Sequence, residues 1–376
     1  MVEIKTIPRT EIKGFSFKNN VAKEVQLIFK PLHIVQSAFM LSKYTIRDDL
    51  IQPNSFIYNV ISGISNLIIY MVILYVILQN CIGIDMEHVN HVIFYTTLQC
   101  IPILCVGGIT NFTTNVFYRH TNVLLAIKIK NFYEFLKMNK RSLKIFAIVN
   151  WVSAMGVVFF QLIWIIYFYF AFSAFAQISQ LIWNMIYIIF DINVLFATRV
   201  LKFITMALRL WVKKATESML KFESRSYWNK MHKLFEEILE AYELLRVTFQ
   251  PLILYYYVET FSGALSSVIV RIEQGKVYEG SLIKFIIKSM IAQCWFYKNM
   301  GLLIMLSVEC EHFYSNMEEA RNICMQLTVS RRHSEIQKRI CKNIVRLQAG
   351  SYQKLEISRL FVLDARVLLR FGSVLT

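Results

Sequence analysis

The chain has 376 residues, of which 56% are hydrophobic, 14% aromatic and only 18% charged, with a mean hydropathy of +0.46. A soluble domain carries about 25% charged residues, and so few cannot cover the apolar surface of a soluble fold of this length. The charges present are mostly basic, giving a net +16, and 12 glycines and 5 prolines leave no long flexible tract. These figures argue against a soluble enzyme, a secreted disulfide scaffold and a disordered protein, and point to a helical membrane protein.

From the start, Met1 to Asn20 is polar and basic, lacks the apolar core of a signal peptide, and is expected in the cytosol. Leu27 to Leu41 is too short to span and is interrupted by Lys30, Pro31 and His33, which suits a helix along the membrane surface. Residues 1–54 thus form a cytosolic N-terminal segment. A helix needs about 20 apolar residues to cross hydrocarbon. Six stretches qualify, at 55–79, 92–117, 143–171, 177–206, 248–270 and 282–308, and the first two contain no ionisable Asp, Glu, Lys, Arg or His.

Lys and Arg set the direction of such a bundle. They are dense before residue 55, between 117 and 143, between 206 and 248 and after 308, and absent or sparse in the other connections. The N-terminus is therefore expected inside, and a seventh span would put the C-terminus outside. That is opposite to a G-protein-coupled receptor; no Asp-Arg-Tyr follows the third span, and no Asn-Pro-x-x-Tyr lies near the end. The excess positive charge suits cytosolic loops beside anionic lipid, so nucleic acid is not implied as a partner.

Two amphipathic stretches are predicted on the cytosolic side. Met231, Leu234, Ile238, Tyr242 and Leu245 recur at helical steps among charged residues, with no Gly or Pro before Thr248, so this helix can run straight into the fifth span. Ser334 and Gln337 fit a capping box, Ile336, Ile340, Ile344 and Leu347 share a face, and Gly350 can end the helix. Such narrow stripes serve either packing within one subunit or a seam between subunits. Residues 309–359 are read as a cytosolic helical segment.

The C-terminal stretch ICKNIVRLQAGSYQKLEISRLFVLDARVLLRFGSVLT resembles the C-terminal signature of the insect gustatory receptors: an amphipathic helix, a linker, Leu360-Phe361, then Leu363 and Asp364, and a last span with Leu368 and Leu369. Pro31-Leu32 also looks like that family's opening segment. The resemblance implies an all-α polytopic membrane helix bundle of seven-span design with a cytosolic N-terminus. Its last span begins within 360–376 and is truncated as the sequence stands, since the family's Thr-Tyr and Gln-Phe motif is not reached. From Arg366 to Thr376 a helix rises only about 16 Å.

The same resemblance implies a tetrameric ligand-gated cation channel, homo- or heteromeric, with a small-molecule tastant bound in the outer half of each subunit and the last helix lining the pore. Val367, Leu368 and Val374 are then candidates to face that pore. The odorant-receptor branch shares the architecture. A secondary transporter is the rival of another class, although no internal repeat is visible. No catalytic motif, metal spacing or cofactor motif is present: the seven cysteines form no CxxC pair, and His88 and His91 belong to no metal-binding pattern.

Ionisable groups within a span ask for partners. Asp191 in the fourth span, Glu259 in the fifth and Lys298 in the sixth stand out. Glu259 lies about 16 Å and Lys298 about 15 Å above the inner ends of their spans, so Lys298 is expected to pair with Glu259 or Asp191. The pair serves either helix packing or the floor of a ligand pocket. Trp164, Tyr167, Tyr169, Trp183 and Tyr187 crowd the outer ends of spans three and four, as interface residues or as ligand-stacking rings. Trp295 and Tyr297 lie deeper and are better pocket candidates. The ligand-binding candidates are thus Trp164, Trp183, Tyr187, Glu259, Trp295, Tyr297 and Lys298. Of the triplet Tyr255, Tyr256 and Tyr257, at most two are expected to face inward.

The one glycosylation sequon, Asn111-Phe112-Thr113, falls deep in the second span. Asn111 is expected to stay unmodified, and glycosidase treatment should leave the electrophoretic mobility of the expressed protein unchanged.

Overall fold

A computed structural model describes residues 23–47, 50–82, 91–136, 139–171, 178–218, 224–277, 282–330, 334–357, 360–364 and 366. In chain order the elements are α1 (Lys23–Ala38), β1 (Thr45–Arg47), β2 (Leu50–Gln52), α2 (Phe56–Ile82), α3 (His91–Phe117), α4 (Arg119–Leu136), α5 (Lys140–Ala171), α6 (Ile178–Ser218), α7 (Arg225–Val277), α8 (Leu282–Val329), α9 (Glu335–Ser351), β3 (Glu356–Ile357) and β4 (Phe361–Val362). The architecture is a helix bundle with two minimal antiparallel hairpins, β1–β2 and β3–β4.

The apolar stretches lie within α2, α3, α5, α6, α7 and α8, and three of these helices run far beyond them. With no Gly or Pro between Met231 and Thr248 to stop it, the stripe from Met231 to Leu245 runs into the fifth apolar stretch as the single 53-residue helix α7, which continues through Pro251. Every residue of that stripe is buried. Trp211 Nε1 donates to the Met231 carbonyl at 2.8 Å, and Tyr242 stacks on Phe313 of α8 with centroids 4.3 Å apart.

α9 carries the expected capping box, with Ser334 accepting from the Gln337 amide and Gln337 reaching back. Its Ile340 and Ile344 are buried, and Gln348 Nε2 donates to the Met317 carbonyl of α8 at 3.0 Å. Both stripes are therefore spent on packing within the subunit, apart from exposed Ile336. α9 passes Gly350 and ends at Ser351, where the Tyr352 amide bonds back to Gln348.

α1 is docked on the bundle. Ile28, Phe29 and Leu32 are buried, Phe29 meets Phe196 at 5.8 Å, and Asn150 of α5 donates to the Ile28 carbonyl at 2.8 Å. Asn111 is only 1% exposed and accepts from Asn193 at 2.9 Å. Leu360 to Leu363 are not helical: β4 pairs with β3. The Tyr314 hydroxyl ties this hairpin down, accepting from the Leu355 amide and donating to the Leu363 carbonyl. Helix is resumed at Arg366, whose amide bonds Asp364 at 2.9 Å. Val367, Leu368 and Val374 lie outside the described residues.

α7 is enclosed by α3, α4, α6, α8, α9 and β3. All three tyrosines of the triplet, Tyr255, Tyr256 and Tyr257, are buried, against the expectation of at most two, because neighbouring elements cover three sides of this turn and Val258, 52% exposed, takes the open side. On the periphery the pattern inverts. Ile145, Ile148, Val152, Met155, Phe159, Leu162, Ile163 and Ile166 leave one face of α5 apolar and exposed, and α2 does the same from Phe56 to Tyr75. Among the described residues, Lys140–Ile166 and Arg225–Ile269 are long and apolar enough to cross a membrane, and Phe56–Val72 and Ile101–Phe117 are shorter apolar helices.

Gly107 and Gly108 let neighbouring helices close on α3. A Cβ at Gly108 would come within 1.9 Å of the Tyr70 hydroxyl oxygen, and one at Gly107 within 2.2 Å of Tyr255 Cζ, whereas Gly156 on α5 faces open space. Gly107→Ala and Gly108→Ala should each cost about 1–3 kcal/mol, while Gly156→Ala should raise stability by about 1 kcal/mol. Thermal unfolding of the detergent-solubilised variants measures all three.

Candidate functional site

α6, α7 and α8 bring a buried ionic cluster together. Asp191 is 1% exposed and Glu259 4%. Lys298 Nζ donates to Asp191 Oδ2 at 2.5 Å, and the Tyr256 hydroxyl donates to Asp191 Oδ1 at 2.7 Å. Asn299 links the second carboxylate: its Oδ1 lies 3.1 Å from the Tyr256 hydroxyl, and its Nδ2 donates to Glu259 Oε2 at 3.3 Å. Of the two expected partners for Lys298, Asp191 makes the ion pair, and Glu259 joins through Asn299. The Lys298 ammonium also stands 5.6 Å from the Phe160 ring of α5 and 6.0 Å from the Trp295 ring, where ring faces favour a cation.

An aromatic layer lies one turn away along the same helices. Tyr187 precedes Asp191 by one turn of α6, Trp295 precedes Lys298 on α8, and Gly263 follows Glu259 on α7. The Tyr187 and Trp295 rings meet edge to face at 6.1 Å. Trp295 rests on Gly263, where a Cβ would lie 2.5 Å from its ring. From this layer a chain of ring contacts runs past the ionic level, through Phe190, 6.3 Å from Tyr187, to Tyr255, 4.7 Å from Phe190. A ring floor of this kind offers stacking faces, with charge and hydrogen-bonding groups one turn below.

The other ligand-binding candidates divide. Trp164 follows Phe160 by one turn of α5 and is half-buried. Tyr297 is 64% exposed and sits beside Phe296 with ring centroids 5.9 Å apart, because it lies about 200° around the helix from Trp295; it does not join the cluster. The side chains of Trp183, Tyr167 and Tyr169, and His88, lie outside the described part of the structure. Among the described residues no group of three His, Cys, Asp or Glu could hold a metal ion.

Several participants are neutral residues within apolar runs and carry no signal in the sequence: Tyr256, Asn299, Phe160 and Gly263. Gln161 of α5 is fully buried, and among the described residues neither of its amide atoms is hydrogen-bonded, leaving a donor and an acceptor to spend. A second polar layer also escapes the sequence reading, although its charges lie in the fourth apolar stretch. Arg199 Nη2 donates to Ser153 at 2.6 Å, and Lys202 pairs with Glu309 of α8 at 2.7 Å.

Replacing one member of the buried pair strands the other. Lys298→Met and Asp191→Leu should each lower stability by about 3–5 kcal/mol, while the two together should recover most of the loss. A double-mutant cycle on thermal unfolding measures the coupling.

No protein-family model matches the sequence, and no curated protein matches it. In fold the chain is similar to the insect olfactory receptor OR5 from Machilis hrabei, solved in complex with eugenol, with a TM-score of 0.58 over 94% of this chain and 97% of that one at 11% sequence identity. Nearly the whole chain thus shares an insect olfactory receptor fold.

Proposed function

We propose that this protein is an insect chemoreceptor subunit of the gustatory type, a ligand-gated cation channel that responds to a small-molecule tastant and assembles as a homo- or hetero-tetramer. In this reading α2, α3, α5, α6, α7 and α8 each cross the plasma membrane, the basic N-terminus is cytosolic, and a seventh span follows Arg366. The fold likeness along nearly the whole chain is the observation that supports it most. The apolar exposed faces of α2 and α5 suit lipid contact, and the C-terminal signature favours the gustatory branch.

The ligand site is the aromatic layer of Tyr187 and Trp295, with Trp164 at its side and the Asp191–Lys298–Glu259 cluster as its floor. The unspent amide of Gln161 is a hydrogen-bonding handle beside it. A ligand that packs better against these rings in the open state than in the closed one shifts the channel toward opening. The olfactory branch is the second reading, favoured by the identity of the structural neighbour.

Whole-cell recording from cells expressing the full-length receptor tests both. Tastant-evoked cation current, weakened by Trp295→Ala at unchanged surface assembly, is the expected result. Current evoked only by volatile odorants would assign the olfactory branch, and saturable uptake without current would make the protein a transporter.

A further inference from the structure

Between α1 and α2 the chain crosses the C-terminal end of α3 and the middle of α7, and it carries a lysine into the interior. Lys43 is 1% exposed. Its Nζ donates to Asn115 Oδ1 of α3 at 2.6 Å and stands 5.5 Å over the Phe249 ring of α7. Asn115 in turn donates to the Leu41 carbonyl at 3.3 Å. A buried ammonium ordinarily has a carboxylate beside it; among the described residues Lys43 has none within ion-pair distance.

The rest of the segment is held by neutral polar contacts. His33 Nε2 faces the Tyr44 carbonyl at 2.9 Å, and its Nδ1 faces the Ser37 hydroxyl at 3.2 Å. Gln36 donates to Asn193 of α6 at 3.5 Å, Ser42 donates to the Tyr58 hydroxyl of α2 at 2.9 Å, and Asn54 Nδ2 donates to the Ser42 carbonyl at 2.6 Å. Among the described residues, the titratable groups that these contacts bring to the segment besides Lys43 are His33, Tyr44 and Tyr58, while α3, α6 and α7 contribute Asn115, Asn193 and Phe249. Arg47 pairs with Leu50 at the end of the β1–β2 hairpin away from Lys43, and Asp48 and Asp49 lie outside the described residues.

We propose that the described residues of 33–47 and 50–54 form a proton-operated latch: charging Lys43 weakens the segment's hold on α3 and α7, so acidification on its side of the membrane frees it. A single neutral acceptor and one ring face can hold an amine, and they compensate a buried cation poorly. Which side responds rests on the proposed orientation of the subunit; the release itself does not.

Burial alone brings the Lys43 ammonium down to about 7 from an ordinary 10.5. Burial also lowers His33, opposed by the Tyr44 carbonyl. A released segment carries the Lys43 proton at any pH below 10.5, whereas a docked one carries it only below about 7. Docking therefore strengthens as pH rises from 7 toward 10.5 and loses its Lys43 dependence below 7. On these values the opening equilibrium grows about five-fold from pH 8 to pH 7, and about two-fold more down to pH 6.

Hydrogen exchange of the detergent-solubilised full chain at pH 8, 7 and 6, corrected for intrinsic rates, reads this directly. Protection of the peptide covering residues 39–54 should fall about five-fold from pH 8 to 7 and then flatten. Lys43→Met should abolish the step. Asn115→Asp supplies a carboxylate, holds the ammonium charged when docked, and should remove the step between pH 8 and 7. A wild-type step that is absent, or one that persists in both variants, overturns the latch. Acidifying the cytosolic face of excised patches should alter ligand-evoked current; a response only from the opposite face overturns the orientation and leaves the exchange result standing.

Discussion

An ammonium and a carboxylate held side by side away from water fix the register of three helices. Desolvating such a pair costs several kcal/mol per ion, and the pair persists only when geometry and additional hydrogen bonds are good. Here the Lys298–Asp191 contact at 2.5 Å is supplemented by the Tyr256 hydroxyl, so α6, α7 and α8 must all present these groups at one height. Sliding any of them by a turn would leave a buried charge alone. With that height set, Tyr187, Trp295 and Gly263 fall one turn along and meet as the aromatic layer. The rings are where they are because the ions cannot be elsewhere.

Polar contacts recur at other levels of the interior. Lys202 with Glu309 and Arg199 with Ser153 form one layer; Gln36, Asn193 and Asn111 form another that joins α1, α6 and α3. Each ties elements distant in sequence, and each sits behind a periphery of exposed Ile, Leu, Val and Phe on α2 and α5. Where the surroundings are apolar, burial of hydrocarbon cannot distinguish one helix arrangement from another, and directional interior bonds take over that selection.

Much of the helical layout was legible from length and hydropathy alone, and the α9 cap from Ser334 and Gln337. Counting residues put Glu259 and Lys298 at similar heights on the fifth and sixth helices; in the structure Lys298 pairs with Asp191, and Glu259 accepts from the neighbouring Asn299. The sequence could not choose between two carboxylates for one lysine, because that choice depends on which faces of α6 and α7 turn toward α8. Trp295 and Tyr297 look equivalent in an apolar run, yet two residues are more than half a turn apart, so only the first can share a face with Lys298. Neutral polar residues such as Asn299 and Asn115 leave no mark on a hydropathy profile while carrying the buried network. The turn at Leu360–Leu363 was hidden because Leu-Phe-Val-Leu reads as well for a helix as for a short strand.

The continuity of α7 has a mechanical consequence. Its 53 residues, Arg225 to Val277, extend about 80 Å and carry in turn the stacked Tyr242, Tyr256 and Gly263 beneath Trp295. Pro251 lies within it, and a proline cannot supply the donor that the Val247 carbonyl would otherwise receive, which makes that turn the most easily bent. Pivoting there, the arm reaching back to Trp228 is about 35 Å long, so each degree of tilt sweeps its tip through about 0.6 Å. A side chain pressing on one end of this lever is felt as displacement at the other.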